Sequence, residues 1–273
     1  MSTSGFIYLN KPVDITSNKV IQTIKKQHPD IQAIGHSGTL DPMASGLLII
    51  AINRATKFIQ YLNHEPKTYE ATLRYGVNSV SLDNQSFCEL LPTHEVTQQQ
   101  INTLINSMSG PLMMPIPIYS ACKFQGKPLY HYARQHIHVH LPDREYQIHS
   151  LKVLKHHMPE SKIQVVCSHG TYIRALIAML GERLNTSAIM TQLRRTAIGH
   201  LTPNCSLDDC LKSWQAHMIP IERCLPFPPL NISHTDAIAL HQGKMLPLSQ
   251  LPSNTLVSTM VNKQFAGLAK YTH

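Results

Sequence analysis

Residues 34–53 read IGHSGTLDPMASGLLIIAIN, a glycine-rich loop that runs straight into an unbroken apolar stretch. Positions 47–52 have the length and composition of a buried strand, which would anchor the loop to a core. Ahead of them Gly35, Gly38, Gly46, Ser37, Thr39, Ser45 and Pro42 crowd one carboxylate, Asp41. Glycine permits positive φ or the close approach of another backbone. Pro42 drives Asp41 out of the helical region toward an extended conformation, so the carboxylate sits on stiff chain. A carboxylate presented in this way beside a sheet suits catalysis; the same residues also suit a plain Gly/Asp turn entering a strand.

Working outward, Phe6 to Leu9 reads as a short strand ended by Asn10-Lys11-Pro12. Val20, Ile21 and Ile24 fit a helix over 16–28, stopped by Pro29. Ala55, Phe58, Ile59 and Leu62 mark one face of a second helix. KTYEATLRYG (67–76) alternates cleanly, with Tyr69, Ala71, Leu73 and Tyr75 on one side, the signature of a half-buried strand. Thr97 and Gln100 form a capping box for a helix that Gly110 closes. Residues 111–135 read as a loop in which Lys123, Lys127 and Arg134 interleave with Tyr119, Phe124, Tyr130 and Tyr132. That mixture suits single-stranded nucleic acid, and equally a surface loop with its aromatics turned inward. Strands are expected near 146–156 and 162–168, and a helix from about Thr171 to Gly181. Leu193-Arg194-Arg195 reads as a short basic element, and 202–231 as a linker. A small module follows, with a helix at 235–241 and strands near 256–261 and 265–271. Strands separated by helices without a regular βαβ beat predict an α+β fold.

Composition narrows the function. The 273 residues carry 24 Lys plus Arg against 16 Asp plus Glu, a net charge of +8 that suits a polyanionic partner. At 42% hydrophobic the chain can bury a sizeable core and is too apolar for disorder. No apolar run approaches the roughly 20 residues that span a bilayer, and the start MSTSG resembles no signal peptide. The six cysteines form no CxxC pair, which predicts a reduced, cytoplasmic protein. His136, His138 and His140 alternate, but without a carboxylate or cysteine partner they read as a solvated face rather than a zinc site.

GHSGTLDPMASGLL, ATKFIQYL, KTYEATLRYG, YSACKFQGKPLYHYAR, HGTYIRALI and LRRTAIG occur in an order that resembles the TruB family of tRNA pseudouridine synthases, over about residues 5–200. The resemblance implies a mixed, mainly antiparallel sheet flanked by helices and loops. It implies a catalytic domain over 1–225 and a short PUA-like RNA-binding module over 226–273. It also implies isomerisation of uridine 55 in the T-loop of tRNA without metal or redox cofactor, and nothing in the sequence demands more than a monomer. Asp41 matches the family's catalytic aspartate, Arg174 the arginine that pairs with it, and Tyr69 the tyrosine that stacks on the target uracil. His36 matches the histidine that fills the space left by displaced nucleotides, while Tyr172 and Leu193 match residues lining the uracil pocket. Lys57 and Lys11 match basic positions near the RNA backbone. Arg174 would otherwise read as a solvated residue in a helix's first turn, where its charge opposes the dipole. In SVSLDNQ (79–85) Val80 replaces one family aspartate and Asp83 matches a second, placed to orient Arg174 or Tyr69. Met114 and Ile116 also depart from the family pattern. An RNA-binding or tRNA-folding protein whose catalysis is dispensable is the alternative.

Overall fold

The computed structural model describes residues 3–63, 65–246 and 254–271. Its centre is one ten-stranded mixed sheet. Along the sheet run Cys205–Ser206, Gly5–Lys11, Ser45–Ile52, Ala188–Ile198, Lys67–Tyr75, Glu160–Cys167, Arg144–His157 and Gly110–Met114. Ile34–Ser37 adds to Ser45–Ile52, and Ile219–Pro220 adds to Gly5–Lys11. Most neighbours are antiparallel, but Ala188–Ile198 meets Ser45–Ile52 in parallel, and Cys205–Ser206 meets Gly5–Lys11 in parallel. The α+β expectation holds.

The strand of 47–52 is buried on both faces, as its unbroken apolar run predicts. One face packs on helix Ser17–Gln27 and Trp214, the other on Ala55, Leu62 and Ile221. A third and larger cluster lies on the far half of the sheet, against helices Gln98–Ser107 and Ile173–Arg183. Thr16 caps the first helix by accepting from the Lys19 N–H, and the Thr97–Gln100 capping box forms as read. Strand Lys67–Tyr75 buries every second residue, from Lys67 through Tyr69, Ala71 and Leu73 to Tyr75.

The second helix forms over Asn53–Tyr61, as a 3-10 helix. Four local readings are corrected. Gly110, at φ +105°, does not end a helix; it opens the edge strand Gly110–Met114, in a segment read as loop because its prolines mask the pattern. Such prolines are tolerated because an edge strand leaves one row of N–H groups unpaired. Gly181 lies inside helix Ile173–Arg183, where a Cβ would come within 2.6 Å of the Ala188 backbone nitrogen. Leu193-Arg194-Arg195 is the middle of an 11-residue central strand, Ala188–Ile198. Residues 205–220 are no linker, since both of their short strands pair with Gly5–Lys11 and Trp214 is buried behind them.

The C-terminal module has three strands in the order Pro229–Asn231, Leu256–Val261, Gln264–Lys270, with helix His234–His241 beside them. It rests on the 3-10 helix: Phe265 meets Phe58 edge-on at 5.2 Å between ring centres, and Arg54 donates to the Ala266 carbonyl at 2.9 Å. Among the described residues no helix is long and apolar enough to cross a membrane.

Candidate active site

Asp41 lies on the loop between Ile34–Ser37 and Ser45–Ile52, and that loop is pinned at every second residue. Arg195 Nη2 donates to the Gly38 carbonyl at 2.7 Å. Ser17 Oγ accepts from the Leu40 N–H at 3.0 Å and donates to the Leu40 carbonyl at 3.1 Å. Lys11 Nζ donates to the Pro42 carbonyl at 3.1 Å. The Ala44 N–H returns to the Asp41 carbonyl at 3.0 Å. The closing residue, Gly46 at φ +101°, has no room for a side chain, because a Cβ would overlap the Arg195 backbone carbonyl of the parallel neighbour. That crossing point joins the Asp41 loop to the centre of the sheet.

Arg174 approaches from the start of helix Ile173–Arg183 and is almost fully buried. Its Nε lies 3.1 Å from Asp41 Oδ2 and its Nη2 lies 3.5 Å from Oδ1, so the guanidinium grips the carboxylate with two nitrogens. The same group donates to the Ser81 carbonyl at 2.8 Å and to the Tyr119 carbonyl at 2.9 Å. Asp83 Oδ2 stands 3.6 Å from Nη1, and Asp83 is itself held by Ser81 Oγ and the Gln85 N–H. A planar guanidinium with a rigid fork of donors is the side chain that can serve this many acceptors at once. Two carboxylates also offset the unfavourable dipole at the helix start. Asp41 is only partly covered, with 36% of its side chain exposed against 6% for Arg174, so the acid faces outward from an inert support.

Above Asp41 is a cleft of about 250 Å³, lined by Gly38, Lys67, Tyr69, Tyr172, Arg174 and Leu193 among others. Tyr69 lies directly across the ladder from Arg195. Burial raises the Tyr69 phenol, which Arg195 beside it counters, so the hydroxyl keeps its proton at neutral pH. Burial raises Tyr172 as well. Leu193, from the central strand, gives the cleft an apolar wall.

Asp41, Arg174, Tyr69, Tyr172 and Leu193 therefore meet at one cleft, and Asp83 stands behind Arg174. The remaining candidates lie elsewhere. His36 sits on strand Ile34–Ser37 outside the cleft lining, with Nδ1 buried and unpaired among the described residues; burial and Arg195 keep its pKa low, so it is neutral. Lys57 is exposed on the 3-10 helix, away from the cleft. Lys11 does not fit the role of phosphate contact. It is fully buried, and its three ammonium donors are taken by the carbonyls of Pro12, Ile15 and Pro42, which makes it a brace for the Asp41 loop. His136, His138 and His140 occupy an exposed loop rather than a strand face, and no group of three metal-ligating side chains occurs among the described residues.

Arg195 and Lys67 escaped the sequence reading. Both face inward from central strands, and Lys67 shares the parity of Tyr69, a lysine on the buried face of an alternating strand. That parity was the signal that could have found it.

A fold of this kind, with an arginine-gripped aspartate at the wall of a small cleft, defines a class before it defines a protein. Residues 25–173 match the family model described as TruB family pseudouridylate synthase (N terminal domain). The chain belongs to the TruB family of pseudouridylate synthases. It is 36% identical over 262 residues to tRNA pseudouridine synthase B of Bacillus subtilis (strain 168), covering 89% of this chain and 83% of that protein. It is 36% identical over 256 residues to the protein of the same name from Burkholderia pseudomallei (strain 668), covering 90% and 84%. Among solved structures it resembles a chain of a Cbf5–Nop10–Gar1 complex, with a TM-score of 0.72, 25% identity and coverage of 98% of this chain and 78% of the other.

Proposed function

We propose that this enzyme converts uridine 55 in the T-loop of tRNA to pseudouridine, with Asp41 as the reacting group. The observation that carries the reading is the two-nitrogen grip of Arg174 on a half-exposed Asp41 at the wall of a cleft shared with Tyr69. The reaction breaks the N1–C1′ bond, turns the uracil and rejoins it through C5. It needs an ionised carboxylate at the sugar or at C6, a surface that holds the loose base, and exclusion of water. The protein's task is to orient the Asp41 carboxylate, and the rigid fork of Arg174 does that. Tyr69 supplies a flat face for the base, and its protonated hydroxyl is available near C5. Leu193 shields the sugar carbon from water.

A uridine within a folded loop reaches this cleft only by leaving its stack, at a cost of a few kcal/mol. The net charge of +8 supplies attraction to the backbone, and the basic segment 123–134 and the 226–273 module extend the contact surface. In this reading the catalytic domain spans 1–225, the module binds RNA in the manner of a PUA domain, and a monomer acts in the cytoplasm without a cofactor. The test is incubation with an unmodified T-loop minihelix and mapping of pseudouridine by position. Asp41→Asn should abolish turnover and leave binding within a few-fold of the parent. Substantial residual turnover would overturn the role of Asp41. Binding without modification by the parent protein would favour an RNA-folding protein instead.

A further inference from the structure

Lys67 opens the strand that carries Tyr69, shares its inward face and lines the cleft, yet it is only 6% exposed. Among the described residues its ammonium makes no ion pair and no hydrogen bond. The groups acting on it through space are Arg195, Cys167 and Glu65, and the Glu65 Oε1 accepts from the His169 N–H at 2.9 Å. Arg195, 1% exposed, is a second buried cation with no carboxylate within ion-pair distance among the described residues. Gly38 lies between the two. A Cβ at Gly38 would stand 3.4 Å from Lys67 Nζ and 3.5 Å from Arg195 Nη1.

Two desolvated cations side by side are costly unless a counter-ion pairs with them. Arg195 spends Nε and Nη2 on the Leu47 and Gly38 carbonyls, whereas Lys67 keeps its donors free. With no side chain on Gly38, a bulky anion can come close to both cations. We propose that Lys67, backed by Arg195, binds a backbone phosphate flanking the flipped uridine and seats it against Gly38. Lys67 is then a substrate-binding residue of the cleft that also holds Tyr69 and Asp41. Burial and Arg195 push Lys67 down to about 8, and an incoming phosphate would hold its proton more firmly.

This inference rests on the RNA reading above, and one experiment separates the two. The parent protein, Lys67→Met and Lys67→Arg are compared on T-loop minihelices in which the linkage 5′ or 3′ of the target uridine is a neutral methylphosphonate. Dissociation constants, KM and kcat are measured for each. One of the two neutral linkages should weaken binding to the parent on the order of 10- to 100-fold, the scale of one charged hydrogen bond. Lys67→Met should lose the same factor on all-phosphate RNA through KM, lose nothing further on that neutral linkage, and recover largely in Lys67→Arg. Losses that add in full on both linkages, or a fall in kcat that ignores the linkage, would overturn the proposal. So would a parent protein indifferent to both neutral linkages, a result that needs no variant to fold. If the parent binds but makes no pseudouridine, the functional reading fails while the binding comparison still decides the phosphate site.

Discussion

Arg174→Lys keeps the charge and removes the geometry, which isolates what the fork contributes. The guanidinium meets Asp41 with two nitrogens at 3.1 and 3.5 Å, Asp83 at 3.6 Å, and the carbonyls of Ser81 and Tyr119 at 2.8 and 2.9 Å. A lysine places all its donors on one atom. Seated by Asp41 it abandons the two carbonyls and the buried Asp83; seated by Asp83 it releases Asp41. Either way at least two charge-assisted contacts go, each worth about 1.5–3 kcal/mol when buried. Asp41 is over a third exposed, so water replaces part of its share. The expected loss of stability is about 3 kcal/mol, and a carboxylate freed by about 1 Å should cost the rate on the order of 100-fold. Single-turnover release of tritium from C5 of the uridine in a minihelix reads the rate, and urea unfolding reads the stability. A rate within about 3-fold of the parent, with an unchanged unfolding midpoint, would show that Arg174 does not organise Asp41.

Gly46→Ala should destabilise the protein by about 3 kcal/mol or more, because neither backbone at the crossing can give way and φ +101° is strained for alanine; an unchanged thermal midpoint would refute this. Lys67→Met should change the pH dependence of stability. An unfolded lysine keeps its proton to about 10.4, whereas folded Lys67 releases it near 8. Between those values the unfolded state binds more protons, so the parent gains stability as pH rises. The variant lacks that gain. Lys67→Met should therefore exceed the parent at pH 7 by up to about 3 kcal/mol, and the gap should close toward pH 10. Parallel urea curves for the two proteins across that window would contradict the buried, unpaired lysine.

Several elements were legible because their signal is local. The apolar run of 47–52, the strict alternation of 67–75 and the Thr97–Gln100 box each state their conformation within a few residues. The missed strands were those whose pattern is disguised. Prolines hide Gly110–Met114, and the buried Arg195 makes the central strand Ala188–Ile198 read as a surface basic cluster. An inward arginine is stable there because carbonyls from the Asp41 loop and its strand satisfy it, and those partners lie about 150 positions away in the chain.

The site divides in the same way. Sequence alone singled out a stiff, glycine-flanked Asp41 and, through ordered motifs, a family with its arginine and tyrosine. The sequence does not show that Lys11 braces the Asp41 loop, and the parity of Lys67 with Tyr69 marks it only as inward-facing, not as a residue of the cleft. Only the tertiary structure decided that, by burying Lys11 among three carbonyls and setting Lys67 in the cleft wall beside Gly38 and Arg195. The physical reason is that a charge takes its role from whatever groups complete its hydrogen bonds. Those groups here are backbone atoms brought together by the sheet, and backbone atoms leave no mark in a sequence.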